Sequence, residues 1–268
     1  MTSALAPAKI NLALVVGPTR EDGLHEVATI LQRVDLCDSV SLEPSEQLAV
    51  DGFAGDTIVR RALEAIAAAA GVEPRWRAQI EKRIPVASGL GGGSSDAATA
   101  LRLANELIGD PLSLERLHAL ACALGADVPF FLEPGPQLGT GDGTTLEPLE
   151  LPQGYAVLLL LPHGVSKHST GAIYGHFDGE DGFDERRRQV LEVAAAGREA
   201  DLASLPPNDL AVSPHTAALR ALGAFRADVS GAGPTVYGLF EDSGGAERAA
   251  AEVSALGETW VVAPAWYV

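Results

Sequence analysis

The chain has 268 residues, of which 47% are hydrophobic, enough to build one large domain or two modest ones. It carries 36 acidic against 19 basic residues, a formal net charge of −17, and a surface this acidic disfavours nucleic acid and anionic membranes as partners. Cys37 and Cys122 lie far apart in apolar contexts, and we find no signal peptide, membrane span or metal-binding cysteine pattern, so we expect a cytoplasmic protein with reduced cysteines.

The first predicted element is a β-strand at 8–16, where residues with high strand propensity alternate. Lys9 and Asn11 share one face of this strand, while Ile10 and Leu12 share the other. A lysine that opens a buried strand is unusual. It is either a solvated strand end or a charge that is needed in a cleft.

The next elements complete a first half that mixes strands and helices. A polar turn at 19–26 contains His25, which on local grounds is an ordinary surface histidine. The pattern then predicts strands at 27–34 and 38–42, joined by 35–37, a helix at 56–70, a strand at 78–85, and helices at 97–108 and 114–124.

A glycine-rich loop connects the strand at 78–85 to the helix at 97–108. Four of the five residues at 89–93 are glycines, and Ser94 and Ser95 follow. Glycine permits close backbone approach, and free N–H groups at a helix N-terminus attract anions, so this arrangement favours a phosphate ligand. A flexible linker is the alternative, but a linker is not usually held between a strand and an apolar helix.

Asp127 lies between apolar neighbours, after Gly125 ends a helix and before Pro129. Its carboxylate either caps the next segment or is held in a dry site for chemistry. A second glycine-rich turn region follows at 135–144.

Composition changes near residue 150, where we place a boundary between domains at 1–150 and 151–268. Strands and helices mix in both parts without strict alternation, which indicates an α+β fold. In the second part a third glycine turn, 231–234, joins two strands. The predicted elements are strands at 155–161, 227–230, 235–241 and 259–264, and helices at 169–176, 183–196, 214–222 and 246–256.

Three segments, 7–12, 85–98 and 230–235, resemble in this order the three motifs of the galactokinase, homoserine kinase, mevalonate kinase and phosphomevalonate kinase (GHMP) superfamily. Further segments at 22–26, 125–131 and 208–210 resemble its branch that phosphorylates a cytidine diphosphate derivative of methylerythritol for non-mevalonate isoprenoid synthesis. The resemblance implies two α+β domains. The N-terminal domain would have a left-handed βαβ crossover and the C-terminal domain would be ferredoxin-like.

The resemblance also implies a site that transfers the γ-phosphoryl group of ATP to a substrate hydroxyl. Lys9 and Asp127 match catalytic residues, with Asp127 as proton acceptor or orienting group, and Mg²⁺ is expected on the phosphates with Ser95 as a ligand. Asn11, Leu24, His25 and Tyr174 match substrate contacts. The residues that match nucleotide contacts are Thr57, Lys82, Pro85, Val86, Ala87, Ser88, Gly89, Leu90, Gly91, Gly92, Gly93, Ser94 and Ser95.

Two positions depart from the family pattern. Leu24 stands where the family has a tyrosine that stacks on the cytosine, and Thr57 stands where an asparagine often contacts the adenine. The alternatives are therefore another kinase of the superfamily with a changed substrate, or a nucleotide-binding module that has lost catalysis. We expect a small-molecule substrate, no nucleic-acid or membrane partner, and a monomer or homodimer.

Overall fold

The structure, a computed structural model, describes residues 1–55, 58–165, 177 and 182–266. Thr57, Tyr174 and the short helix predicted at 169–176 lie outside this part of the chain. Two sheets organise the described residues, one of seven strands and one of four. In these ranges no helix is long and apolar enough to cross a membrane.

The first sheet is built around a long antiparallel pair, β1 (Thr2–Thr19) and β2 (His25–Pro44). The prediction of two strands joined by 35–37 is wrong, because β2 runs through without a break. Pro7 pairs with Cys37 and Ala8 with Val34, so residues 35 and 36 form a bulge inside a continuous strand.

Five further strands complete this sheet, which has the order β3-β4-β2-β5-β6, with β1 and β11 also paired to β2. The hairpin of β5 and β6 forms where the sequence predicted only a glycine-rich turn. The strand predicted at 259–264 is two strands, because the chain leaves the second sheet and its last strand, β11, pairs with β2. The bounds are β3 (Ala49–Asp51), β4 (Trp76–Glu81), β5 (Gln137–Gly141), β6 (Thr145–Pro148) and β11 (Pro264–Ala265).

Three helices, α1 (Ile58–Ala70), α2 (Gly92–Leu107) and α3 (Leu114–Leu124), belong to the same half of the chain. Strands β3 and β4 are parallel and α1 connects them, which makes this the βαβ unit; its left-handed sense stays a prediction. Trp76, Ala78 and Ile80 alternate on the buried face of β4 and pack with these helices in one core. The small alanines of α2 allow it to lie close to α1 and to the sheet.

The second sheet has the order β10-β7-β9-β8, with every neighbouring pair antiparallel. If β7, β8, β9 and β10 are numbered 1 to 4 in chain order, their order across the sheet is 4-1-3-2. This is the order of a ferredoxin-like sheet, so the predicted arrangement is confirmed. The strands are β7 (Ala156–Pro162), β8 (Arg226–Val229), β9 (Val236–Phe240) and β10 (Gly257–Val262). The helices are α4 (Phe183–Ala196), α5 (Glu199–Leu202), α6 (His215–Ala221) and α7 (Ser243–Val253).

Candidate active site

A cavity of about 860 Å³ lies on the face of the β1–β2 pair that carries Lys9 and Asn11. Alternate residues of β2 form part of its lining, as expected for side chains with a period of two. Most of the predicted site residues within the described ranges line this cavity, but the buried Leu90 and Ser95 do not. The lining from β1 and β2 consists of Lys9, Asn11, Leu14, His25, Val27, Thr29 and Leu31.

Lys9 and Asp127 form an ion pair in the lining of the cavity. The ammonium Nζ of Lys9 lies 3.4 Å from Oδ2 of Asp127, and it donates a hydrogen bond of 2.6 Å to Oδ1 of Asn11. Lys9 is only 3% exposed, so the solvated strand end is excluded. The 3₁₀ turn Pro129–Leu132 begins after Val128 without a side-chain cap, so Asp127 does not cap it and is held toward the cavity.

Asn11 is held from its other side by Thr29. The amide nitrogen Nδ2 of Asn11 donates to Oγ1 of Thr29 at 2.9 Å, and the Thr29 hydroxyl donates to the carbonyl of Ala13 at 2.7 Å. Asn11 and Thr29 are both about 95% buried. Lys9, Asn11 and Thr29 therefore form one continuous chain of hydrogen bonds along the cavity.

The glycine loop is fixed rather than flexible, so the linker alternative is wrong. Gly89 has φ +85°, a conformation that favours glycine, and a Cβ there would lie 2.4 Å from the carbonyl oxygen of Ser230. Ser230 donates its hydroxyl to the Gly89 carbonyl at 3.0 Å, and the amide of Thr235 donates to the Ser88 carbonyl at 3.1 Å. The first and third glycine turns therefore interlock.

Helix α2 begins inside this loop, five residues earlier than predicted. Gly91 is its N-cap, with φ +72° and no side chain that caps the first amides. These amides, together with the positive end of the helix dipole, belong to a segment that lines the cavity. An anion at this position would receive several backbone hydrogen bonds.

Lys82 lies beneath the loop and is held by two acidic residues that the sequence did not single out. Its ammonium forms ion pairs with Asp38 and, at 2.7 Å, with Asp96. The other oxygen of Asp38 accepts the amide of Ile84 at 2.8 Å and also that of Arg83, which is why β4 ends at Glu81 instead of continuing to Pro85.

Two carboxylates share the single ammonium of Lys82. Burial raises the pKa of the Asp96 carboxyl to about 7, although the nearby Lys82 ammonium opposes that rise. Burial alone would lower the pKa of Lys82, but the attraction of Asp96 and the hydrogen bonds to Asp38 and Asp96 outweigh it and raise the pKa. Lys82 therefore stays charged in the cavity wall.

The two serines after the glycine run have different surroundings. Ser94 lines the cavity, whereas Ser95 is fully buried and its hydroxyl has no hydrogen-bond partner in the part of the chain that the structure describes. A buried hydroxyl without a partner is an oxygen that a bound cation could satisfy. Within the described ranges, no cluster of three His, Cys, Asp or Glu side chains could hold a metal ion.

His25 lies at the other end of the cavity, beside an aromatic ring that sequence reasoning missed. Its Nδ1 lies 2.8 Å from the carbonyl oxygen of Gly17. A carbonyl can only accept, so Nδ1 of His25 carries a proton. Phe177 contacts the His25 ring edge-on, with the centroids 6.3 Å apart. Leu24 lines the same end and is 52% exposed.

Valine at Gly93 tests whether a ligand lies against the loop. Among the described residues a Cβ at Gly93 would meet Ile58 alone, at 3.7 Å, which leaves room for a side chain there. We expect Gly93→Val to weaken ATP binding at least tenfold, by loss of backbone approach, while the melting temperature changes by only a few degrees.

Calorimetry with ATP and a thermal melt make this test, and Gly92→Val is the companion variant. A Cβ at Gly92 would lie 3.0 Å from Ile84, so that variant should lose both binding and stability. Unchanged ATP affinity in a normally folded Gly93→Val protein would place the nucleotide elsewhere.

The comparisons with known proteins cover nearly the whole chain. The family models described as "GHMP kinases N terminal domain" and "GHMP kinases C terminal" match residues 57–135 and 215–259. A 4-diphosphocytidyl-2-C-methyl-D-erythritol kinase of Geobacter sp. (strain M21) is 38% identical over 262 residues, 93% of each chain.

Solved structures also share this fold over nearly the whole chain. A crystal structure of a 4-(cytidine 5'-diphospho)-2C-methyl-D-erythritol kinase superposes with a TM-score of 0.78 at 35% identity, covering 98% of this chain and 99% of that one. A homoserine kinase from Cytophaga hutchinsonii superposes with a TM-score of 0.79 at 17% identity, covering 99% of this chain and 95% of that one, which is a likeness of fold alone.

Proposed function

We propose that this chain, which belongs to the GHMP kinases and within them to the 4-diphosphocytidyl-2-C-methyl-D-erythritol kinase family, transfers the γ-phosphoryl group of ATP to the 2-hydroxyl of that substrate. The chain is a small-molecule kinase of isoprenoid precursor synthesis. The assignment of roles rests on the Lys9–Asp127 ion pair, which lies in the lining of a cavity that the glycine loop also lines.

Lys9 and Asp127 act on the substrate hydroxyl in this proposal. Asp127 orients the hydroxyl and accepts its proton as the oxygen attacks the γ-phosphorus. The Lys9 ammonium stabilises the negative charge on the transferred group. Phosphoryl transfer depends mainly on alignment and charge stabilisation, and both groups face the same space.

The polyphosphate of ATP lies along the glycine loop and at the N-terminus of α2. Support comes from the uncapped first amides of the helix and from Lys82, a fixed positive charge in the cavity wall. Mg²⁺ would neutralise the phosphates when bound. Ser94 lines the cavity and would offer its hydroxyl oxygen to the ion, and Ser95, buried with no partner among the described residues, stays the predicted ligand.

The cytosine of the substrate lies at the His25 end. Nδ1 of His25 is turned to the Gly17 carbonyl, and in a neutral ring the Nε2 side would accept a hydrogen bond from the 4-amino group of cytosine. Uracil presents an oxygen at that position, so two acceptors would face each other. Phe177 contacts the His25 ring edge-on but does not line the cavity, so Tyr174 stays the predicted aromatic contact of the base.

Tyrosine at position 24 tests the nucleobase site. A stacked ring contributes about 1–3 kcal/mol, and Leu24 supplies apolar contact without a flat face. We therefore expect Leu24→Tyr to lower the KM for the cytidine substrate by a few-fold to tenfold with little change in kcat, because the base is remote from the reacting hydroxyl.

Initial rates with the cytidine substrate and its uridine analogue, for wild type and Leu24→Tyr, measure this effect. Leu222→Tyr is the control, an exposed leucine that does not line the cavity. A raised KM in Leu24→Tyr would contradict the placement of the base.

A substrate panel tests the function as a whole. The purified chain with ATP and Mg²⁺ should phosphorylate 4-diphosphocytidyl-2-C-methyl-D-erythritol with a kcat/KM at least a hundredfold above that for homoserine or mevalonate. Preference for a substrate without a nucleobase would indicate another kinase of the superfamily, and no turnover of any alcohol would indicate a binding module. The monomeric or dimeric state and the cytoplasmic location stay predictions.

A further inference from the structure

We propose that Thr29 is a positioning residue for phosphoryl transfer: its hydroxyl fixes the side-chain amide of Asn11, and the amide oxygen then holds the Lys9 ammonium beside Asp127. The inference rests on the proposed function, because it assigns a role within the same reaction. It concerns a residue of β2 that contributes no charge and belongs to none of the sequence motifs.

The direction of each hydrogen bond follows from proton counting. The Ala13 carbonyl can only accept, so the single hydroxyl proton of Thr29 points toward it, at 2.7 Å. Thr29 therefore offers only a lone pair to Asn11, and the group that faces it must be the amide NH₂, at 2.9 Å. An ammonium can only donate, so Lys9 requires the amide oxygen. Thr29 and Lys9, on the two sides of Asn11, therefore require the same orientation of its side-chain amide.

Asn11, rather than Asp127, sets the position of the Lys9 ammonium. The contact from Nζ to Asn11 Oδ1 is 2.6 Å, whereas the contact to Asp127 Oδ2 is 3.4 Å. Lys9 and Asn11 are buried, but the Asp127 side chain is 42% exposed and less constrained. If the amide turned, its NH₂ group would face the ammonium, two donors would oppose each other, and Lys9 would move.

The methyl group of Thr29 explains why a threonine suits this position. A Cβ on Gly139 of the neighbouring strand β5 would lie 2.9 Å from Cγ2 of Thr29, so the methyl already packs closely on that strand. A β-branched side chain has few rotamers, and this packing restricts them further. The hydroxyl is thereby aimed along β1 toward Ala13 and Asn11.

Three variants test the role. Thr29→Val keeps the shape and removes the hydroxyl, Thr29→Ser keeps the hydroxyl, and Thr99→Val is the matched control, a buried threonine of α2 outside the cavity lining. We expect Thr29→Val to lower kcat by about tenfold to a hundredfold, the scale of a small misplacement at a reacting centre, with KM for both substrates within threefold. Thr99→Val should keep kcat within about threefold, and Thr29→Ser, which keeps the hydroxyl but lacks the methyl that aims it, should lose clearly less than Thr29→Val.

A double-mutant cycle separates positioning from general stability. In an Asn11→Ala background, Thr29→Val should have no further effect on kcat, because it acts through the missing amide. The proposal would be overturned if the two substitutions lowered kcat independently, so that their effects multiply in the double variant. It would also be overturned by an unchanged kcat in Thr29→Val, or by a loss in Thr29→Ser equal to that in Thr29→Val. If Thr29→Val fails to fold, Thr29→Ala carries the same expectations.

A readout without catalysis distinguishes failure of this inference from failure of the proposed function. The side-chain amide signals of Asn11, assigned by their loss in Asn11→Ala, should shift in the nitrogen–proton NMR spectrum of Thr29→Val and shift clearly less in Thr29→Ser. Signals that do not move would overturn the inference, even in an active kinase. A wild type that fails to phosphorylate the cytidine substrate would instead overturn the function and leave this test valid.

Discussion

Asparagine at position 127 is expected to lower kcat by about 10²–10⁴ while the affinity for ATP stays within a few-fold of wild type. This is the usual range for a positioned group that accepts a proton. Asp127 forms an ion pair with Lys9 in the cavity, and in the described structure it does not cap the 3₁₀ turn that follows it. Initial rates at saturating substrate, with calorimetry for ATP, measure the two quantities.

Asp142→Asn is the matched control for Asp127→Asn. Asp142 also lines the cavity, but its carboxylate accepts from the amide and hydroxyl of Thr144 within its own turn. We expect this control to keep kcat within a few-fold. An Asp127→Asn protein that retains more than about half of the wild-type rate would make Asp127 a structural residue.

Methionine at position 9 should lower kcat by about 10²–10³, the scale for loss of one preorganised electrostatic group. The melting temperature should fall only moderately. Methionine fills a similar volume and Asp127, 42% exposed, can be solvated, but the buried amide oxygen of Asn11 loses its donor, a cost of about 1–3 kcal/mol. A thermal melt and steady-state kinetics on the same preparation make the comparison.

Lys82→Met provides the contrast, since it removes the other lysine that lines the cavity. Asp38 is fully buried and would lose its ammonium partner, so a loss of stability of about 3–5 kcal/mol is expected. A Lys9→Met protein that melts far lower than wild type, yet keeps its activity per folded molecule, would assign Lys9 the structural role instead.

The sequence was a good guide wherever chemistry and structure are local. The glycine loop, the helix that follows it, and the strand that carries Lys9 and Asn11 were all predicted, because glycine content, capping and alternation act over a few residues. The sequence did not predict that β2 is continuous, because the bulge at 35–36 depends on how β2 pairs with β1.

The residues that sequence reasoning missed act through distant partners. Asp38 lies 44 positions from Lys82, and Thr29 reaches Asn11 only after β1 and β2 pair. Phe177 is close in sequence to Tyr174, the aromatic that was predicted, but its contact with His25 depends on how the second half of the chain packs on β2. None of these contacts leaves a pattern along the chain.

The continuous strand β2 makes the site sensitive to length. His25 and Thr29 lie on one face of it, four residues apart, so about 13 Å, at about 3.3 Å per residue, separates the recognition end from the threonine that anchors the Asn11–Lys9 hydrogen bonds. A substrate must bridge that gap, so the strand selects ligands by their reach as well as by their chemical groups. Deleting one residue between these positions would turn one of the two side chains toward the core, whereas an exchange of side chains leaves the spacing intact. This stretch should therefore accept substitutions far more readily than a change in the number of its residues.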